Sequence, residues 1–315
     1  MISKTISVTA SKPIKERSDM KKVNIPVLFL LSLLFLLTDC KKKNSEVSFQ
    51  DQINSIQNLN LLQHTLNNIT MSYIRAIHDT ILNDSVPIDS IELNSCYIQI
   101  NHNDGNHILT LNYGSGKYYN ERWRQGVVRA ITSDDFTTIN SVTSLTFDNL
   151  LFDAKNIVNG TILPLNIVTS GTISITLAAK TDSTETYTQS VNDFRILSDT
   201  TGQPWSSMDA ELVYHYQKSD TSGQFNPNDV VTISMDATYT DQKNRGLTST
   251  TVNNVQFPES CCYLASGESE INITAPIIAT GNLFFTSTPK VCLSRFRFEM
   301  TDGRLFEIVQ DWENH

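Results

Sequence analysis

Two hydrophobic periodicities divide the chain. In "NLNLLQHTLNNITMSYIRAIHDTILND" the residues Leu59, Leu62, Leu66, Ile69, Tyr73, Ile77 and Ile81 recur at intervals of three and four, the mark of one apolar helical face. The spacing predicts a helix over 58–84 that docks on the rest of the fold or forms a short stalk, with a coiled-coil partner as the lesser alternative.

Beyond Pro87 the period becomes two. In "SCYIQINHNDGNHILTLNYG" the dipeptide Asp104-Gly105 is a two-residue hairpin signal. A turn centred there pairs Asn103 with Asn106, His102 with His107, Ile100 with Leu109 and Ile98 with Leu111, which puts the four aliphatics on one face. Further alternating segments include "GVVRAIT", "VTSLTF", "TISITLAA", "AELVYHY", "VVTISMDATY", "EINIT" and "LSRFRFEM", separated by Gly, Asn, Asp and Ser. Many short strands with no helices between them predict a mainly-β, antiparallel, sandwich-like fold. It forms one unit, or two divided as 85–180 and 181–315. Both ends of this region carry a cysteine, short strands, a turn and a closing strand, a hint of duplication.

A different pattern occupies the start. "IPVLFLLSLLFLL", Ile25 to Leu37, is thirteen residues long and follows Lys21 and Lys22. It is too short for a membrane-spanning helix, which needs about 20 apolar residues, and has the form of a secretory signal. Because the basic segment follows Met20 directly, translation is expected to begin there. The run closes on Leu37-Thr38-Asp39-Cys40, a lipobox in which Asp39 replaces the usual small residue. Residues 1–39 therefore read as signal region and 40–57 as a lipidated linker, with Cys40 carrying the lipid. The alternative is an uncleaved anchor or a cut elsewhere.

Export changes the charge and the cysteine chemistry. The whole chain has a net charge of −9, and residues 40–315 keep 18 Lys and Arg against 30 Asp and Glu, a net −12. Such a surface repels nucleic acid and anionic lipid, so the expected partners are the membrane, through the anchor, and an envelope protein or glycan. After Cys40 there remain Cys96, Cys261, Cys262 and Cys292, an even number suited to disulfides in an oxidising compartment. Adjacent Cys261 and Cys262 take different partners: Cys292 for one and Cys96 for the other, with the assignment between them open.

At these motifs the chain resembles bacteroidete-type envelope lipoproteins of uncharacterised function. The likeness lies in the lipobox with "CKK", the helical segment, "LTLNYGSG" followed by "RWRQGVVRAI", the pair in "FDNLLFDAKNIVNGTILPLNI", and the unit from "CYLASGESEINI" to "VCLSRFRFEMTDGRLFEI". It covers about residues 21–310. Lys117 and Tyr118 stand where the pattern often has a cysteine, which leaves Cys96 without a local partner. "TPKVCLS" lacks the acidic turn of the pattern's terminal half. The resemblance implies O-glycosylation at Asp-Ser/Thr sites, here Thr80, Ser85, Ser90, Ser183 and Thr200. It also implies an outer-membrane location, and "KKKN" after the cysteine is the opposite of an acidic surface-export signal. Periplasm-facing retention is thus at least as well supported as surface display.

Candidate chemistry is sparse. His102 and His107, facing each other across the expected hairpin, have the types for a shared metal, although a polar residue closing a core face beside a turn is the ordinary outcome. Tyr118, Tyr119, Trp123 and Trp205 fall in expected loops, where aromatics stack on sugars or pack over sheet edges. Asp134 with Asp135 and Asp209 with Glu211 are carboxylate pairs of the kind glycosidases use, and any acidic β fold supplies such pairs. No nucleophile elbow, HExxH or phosphate loop is present, and no cofactor is called for. The expectation is a lipid-anchored envelope protein with a binding or structural role; the alternatives are a hydrolase of envelope or other polysaccharides and a fimbrillin-like structural subunit.

Overall fold

The computed structural model describes residues 52–78, 90–93, 96–103, 107–114, 117–119, 122–152, 157–158, 161–162, 167–197, 205–219, 228–258, 264–275, 278–286 and 294–310. In 90–103, 117–124, 152–167, 169–170, 258, 294 and 308–310 the description extends to the backbone alone. Cys40, Cys261, Cys262, Cys292, Thr80, Ser85 and Thr200 lie outside it.

Helix α1 runs over 52–78, its last turn widened at 77–78. The strands are β1 (Ser90–Leu93), β2 (Cys96–Asn103), β3 (Ile108–Asn112), β4 (Lys117–Tyr119), β5 (Arg122–Thr132), β6 (Val142–Phe152), β7 (Ile157–Val158), β8 (Thr161–Ile162) and β9 (Ile167–Lys180). Then follow β10 (Thr184–Leu197), β11 (Trp205–Gln217), β12 (Val230–Asp241), β13 (Gly246–Pro258), β14 (Ser266–Ala275), β15 (Ala279–Phe285), β16 (Ser294–Met300) and β17 (Leu305–Gln310). All but β7 and β8 join one antiparallel sheet in the order β1-β2-β3-β5-β6-β9 and then β10 to β17 in sequence, with β4 branching onto β5. The fold is mainly β and antiparallel. Its material is one continuous sheet rather than two stacked ones. The expected division at 180/181 falls in the turn between β9 and β10, which pair from Lys180–Glu185 to Ile167–Leu197, and residues 50–315 form one unit.

The first hairpin also differs from expectation. Asn103 pairs with Ile108, His102 with Leu109 and Ile100 with Leu111, so the loop is four residues long, not two. His107 closes it in the left-handed region, with φ 51. Even-numbered shifts preserve the inward parity, so Leu109 and Leu111 remain buried, but His102 and His107 are not cross-strand partners.

The sheet winds around α1. Every helix residue from Leu62 to Ile74 is buried, including Gln63, His64, Asn67, Asn68, Thr70 and Ser72. At about 100° of rotation per residue, Ser72, Tyr73, Thr70 and Asn67 project around the helix about 100°, 60° and 60° apart, in that order. Their partners follow the order of the strands. Ser72 accepts from Tyr113, just past β3, at 3.1 Å, and Tyr73 bonds Thr143 of β6 at 2.7 Å. Thr70 accepts from Gln189 of β10 at 2.9 Å, and Asn67 from Tyr214 of β11 at 2.7 Å. The circumference of α1 is therefore read by successive strands, as it must be when the sheet curls about the helix.

Curvature of this kind needs breaks in the ladder. Register shifts occur at Gln125/Val127 of β5 and β6, at Val191/Phe194 of β10 and β11 and at Ile233/Asp236 of β12 and β13. Outward positions of the long strands carry Thr188, Asp209, Glu211, Asp236, Thr250 and Glu270, all exposed, so that face is water-directed; placed against lipid, its charges would be costly. No helix among the described residues is long and apolar enough to cross a membrane.

The break in β5 is built on Gly126, with φ +100, whose added Cβ would sit on the backbone carbonyls of Asn149 and Asp148. Gly114, with φ +78, has open space where its Cβ would be. Gly126→Ala is accordingly expected to cost about 3 kcal/mol or more, whereas Gly114→Ala costs about 1 kcal/mol. Chemical denaturation of the two variants measures both.

Candidate functional site

A buried cluster of ionisable groups lies at the carboxyl end of α1. Counting back along β10 from Val191, the inward positions are Gln189, Tyr187 and Glu185, all buried, while Thr188 points outward. The strand's alternation thus carries a carboxylate into the interior, just after the turn in which Thr181 and Thr184 hydroxyls bond at 2.7 Å. His78, in the last turn of α1, meets it with Nε2 2.9 Å from Oε2, and the Tyr187 hydroxyl donates to the same oxygen at 2.5 Å. The other oxygen faces Nζ of Lys218 at 3.1 Å and Nζ of Lys180 at 3.4 Å.

The cluster continues outward. The His78 ring lies 4.7 Å from that of Tyr216, whose hydroxyl donates to Asp229. Asp229 also accepts from the backbone N–H of Ser219 at 2.6 Å. Burial works to raise the Glu185 carboxyl, but the hydrogen bond and charge of His78, the Tyr187 hydroxyl and the Lys218 ammonium outweigh it and hold the group well below its ordinary range. Burial, and then the neighbouring Glu185 charge, push the Tyr187 hydroxyl up, which keeps it a neutral donor.

This arrangement clamps rather than catalyses. The side chains of His78 and Glu185 are 0% and 1% exposed, so no substrate reaches them; Oε2 takes the hydrogen bonds, while Oε1 has the two ammonium groups as ion-pair neighbours without a hydrogen bond. A buried charge with several partners fixes one geometry, and removing a partner leaves an uncompensated ion. The amino end of α1 has a matching tie. Asn58 donates to the Tyr239 hydroxyl at 3.3 Å, which also lies 3.2 Å from Ser206 and 3.4 Å from Asp241. Asp241 is itself held by Arg245 Nε at 2.5 Å and by the backbone N–H groups of Lys243 and Arg245, a side-chain-capped turn between β12 and β13.

The residues singled out from sequence are dispersed. Tyr118 pairs with Trp123, and Tyr119 with Arg122, across β4 and β5; these three aromatics stand in paired strands, not in loops, because β4 folds back on β5. Trp205 opens β11 opposite Leu197, half-buried, with the Arg195 guanidinium over its ring at 4.4 Å, so one stacking face is occupied. His107 is 3.4 Å from Asp135. Asp209 and Glu211 lie along the outer face of β11, where Asp209 accepts from the Asp193 N–H at 2.7 Å and Glu211 from Ser190 at 2.6 Å. Ser183 is exposed in the β9–β10 turn, Ser90 opens β1, and Cys96 opens β2 opposite Leu93.

The clamp itself was not among the sequence candidates. Its signal was available: a Glu at an inward position of a strand, and a His at the end of a helical pattern. No family model matches the chain, and no curated protein or solved structure matches it either.

Because the Glu185 carboxyl is lowered in the folded state, its contribution is full above the unfolded carboxyl range, about 4.3, and is lost as pH falls toward the folded value. Glu185→Gln is expected to cost about 3–5 kcal/mol at neutral pH and to flatten the decline in stability below about pH 4.5. Urea midpoints of both proteins from pH 7 to 3 test this; equal slopes would remove Glu185 from the account.

Proposed function

We propose that the chain is a lipid-anchored protein of the cell envelope, whose folded part acts as a binding or structural module through its outer surface and not through an interior chamber. The observation that carries the reading is Cys40, placed directly behind a thirteen-residue apolar run with lysines before it. Two features of residues 50–315 support the second half. The space inside the curved sheet, where β-barrel proteins hold ligands, is filled along 62–74 by a buried helix. The outward wall is rich in Thr, Ser, Asp and Glu, suited to contact with water and polar partners.

A hydrolase is the alternative, and one observation favours it. Glu211 and Asp236 are direct cross-strand partners that line a surface depression of about 230 Å³ with Thr188, Ser234 and Thr250. Directly opposed residues on one sheet face have Cβ atoms about 5 Å apart, which puts these two carboxylates within reach of one substrate bond, as a glycosidase pair must be. Like charges facing each other on an exposed strand pair are also what an acidic outer wall produces, and the envelope-module reading is the one adopted.

Mass spectrometry of the mature protein is expected to find diacylglycerol on an amino-terminal Cys40, and Cys40→Ser to move the protein from the detergent phase to the aqueous phase. An unmodified Cys40, or retained Leu37 to Asp39, would overturn the anchor. Loss of polysaccharide cleavage in Glu211→Gln and Asp236→Asn, with folding intact, would favour the hydrolase.

A further inference from the structure

The geometry points to a binding site for one structural water molecule inside the wall, between α1 and the strands β13 and β14. The site begins with a sequence oddity: Gln63 occupies a helix position that is 1% exposed. Neither Nε2 nor Oε1 of its amide has a hydrogen-bond partner in the protein. Across from it the Ser269 hydroxyl, equally buried, is also unpartnered. Each such group carries a desolvation penalty of about 1–3 kcal/mol when left unmet, and a leucine at 63 would avoid it.

Both side chains, Gln63 and Ser269, line one small pocket of about 10 Å³, together with Asn67, the half-buried Thr251 and apolar side chains such as Ile233 and Phe285. A water needs about that much room and two to four polar partners. The ladder supplies a third. Thr251 and Ser269 are cross-strand partners, and β12–β13 slips register between Ile233 and Asp236. At the slip the Met235 N–H leaves the ladder and donates to Thr251 Oγ1 at 2.9 Å. Thr251 therefore accepts from the backbone and keeps its own hydroxyl proton to donate. One water can accept from Thr251 and from Gln63 Nε2 and donate to Gln63 Oε1 and Ser269 Oγ. β13–β14 also shifts register beside the pocket, between Thr251 and Asn253. The water joins the curled sheet to α1 at the place where direct contact fails.

The sign of a mutational effect separates this from a cavity that stays dry. If water bridges the groups, Gln63→Met removes its main ligand and lowers Tm by about 2–6 °C, Ser269→Ala lowers it by a similar amount, and the double variant loses less than the sum. Water-to-amide cross-relaxation in the full chain shows a long-lived contact at the Gln63 side-chain NH₂ and, in Ser269→Ala, a weakened one. If the amide is simply buried unmet, Gln63→Met raises Tm or leaves it unchanged and no cross-relaxation is seen, which overturns the site. Should Gln63→Met fail to fold, Ser269→Ala gives the same two readings alone: a lower Tm with weakened cross-relaxation supports the bridge, and an unchanged or higher Tm refutes it.

Discussion

The described part of residues 50–315 answers to one constraint, a polar-faced helix held away from bulk water. A helix satisfies its own backbone, but side chains such as Gln63, Asn67, Thr70, Ser72 and His78 need partners once buried. Some bond within the helix, as when Asn68 donates to the His64 carbonyl at 2.8 Å and Ser72 to that of Asn68 at 2.7 Å. Most of the rest are met by side chains of the sheet. The inner wall accordingly presents Tyr113, Gln189, Tyr214 and Glu185 instead of uniform aliphatics, and the register of each strand is pinned by what its inward residue reaches on α1.

The same constraint explains the sheet's irregularity. A long antiparallel sheet left flat would cover one side of a helix; covering successive sides requires it to turn, and the shifts in β5, β10 and β12 are where it turns. Breaks in a ladder expose backbone groups, which then need substitutes. Met235 finds the Thr251 hydroxyl, and Asp193 finds the Asp209 carboxylate. The ends of the helix are held electrostatically and by hydrogen bonds, at His78 by Glu185 with two lysines, and at Asn58 by Tyr239. Apolar packing along Leu59, Leu62, Leu66 and Ile69, all fully buried, supplies the bulk of the attraction, and the polar ties fix its rotation and register.

The period-two segments of β5, β6, β11, β12 and β16 were legible in the sequence because one face of each is buried and the other wet. β13 was harder to see: its inward positions include Ser249, and its outward ones include the exposed Val252 among Thr, Asn and Gln, so hydrophobic contrast is weak. The hairpin register failed for a local reason, since Asp104-Gly105 suggests a two-residue turn while His107 adopts the left-handed conformation and lengthens the loop. The apolar stripe of the helix shows which face packs on aliphatics and says nothing of the opposite face, because burial of Asn, Gln and Thr depends on partners a hundred or more residues away. Glu185 was hidden for the same reason. An acidic residue in a Thr-rich strand looks like surface until its parity is counted, and two units were conceivable only while the pairing of β9 with β10 was unknown.

If α1 is the axle of the curled sheet, its central amides open only when the sheet does. Native-state hydrogen exchange resolved by residue tests this most directly. Amides from Leu62 to Ile74 are expected to exchange as slowly as the innermost strands β10 to β12, with the same dependence on denaturant, through global unfolding. Exchange of that segment ahead of the strands, with the shallow denaturant dependence of a local opening, would contradict the central place given to the helix.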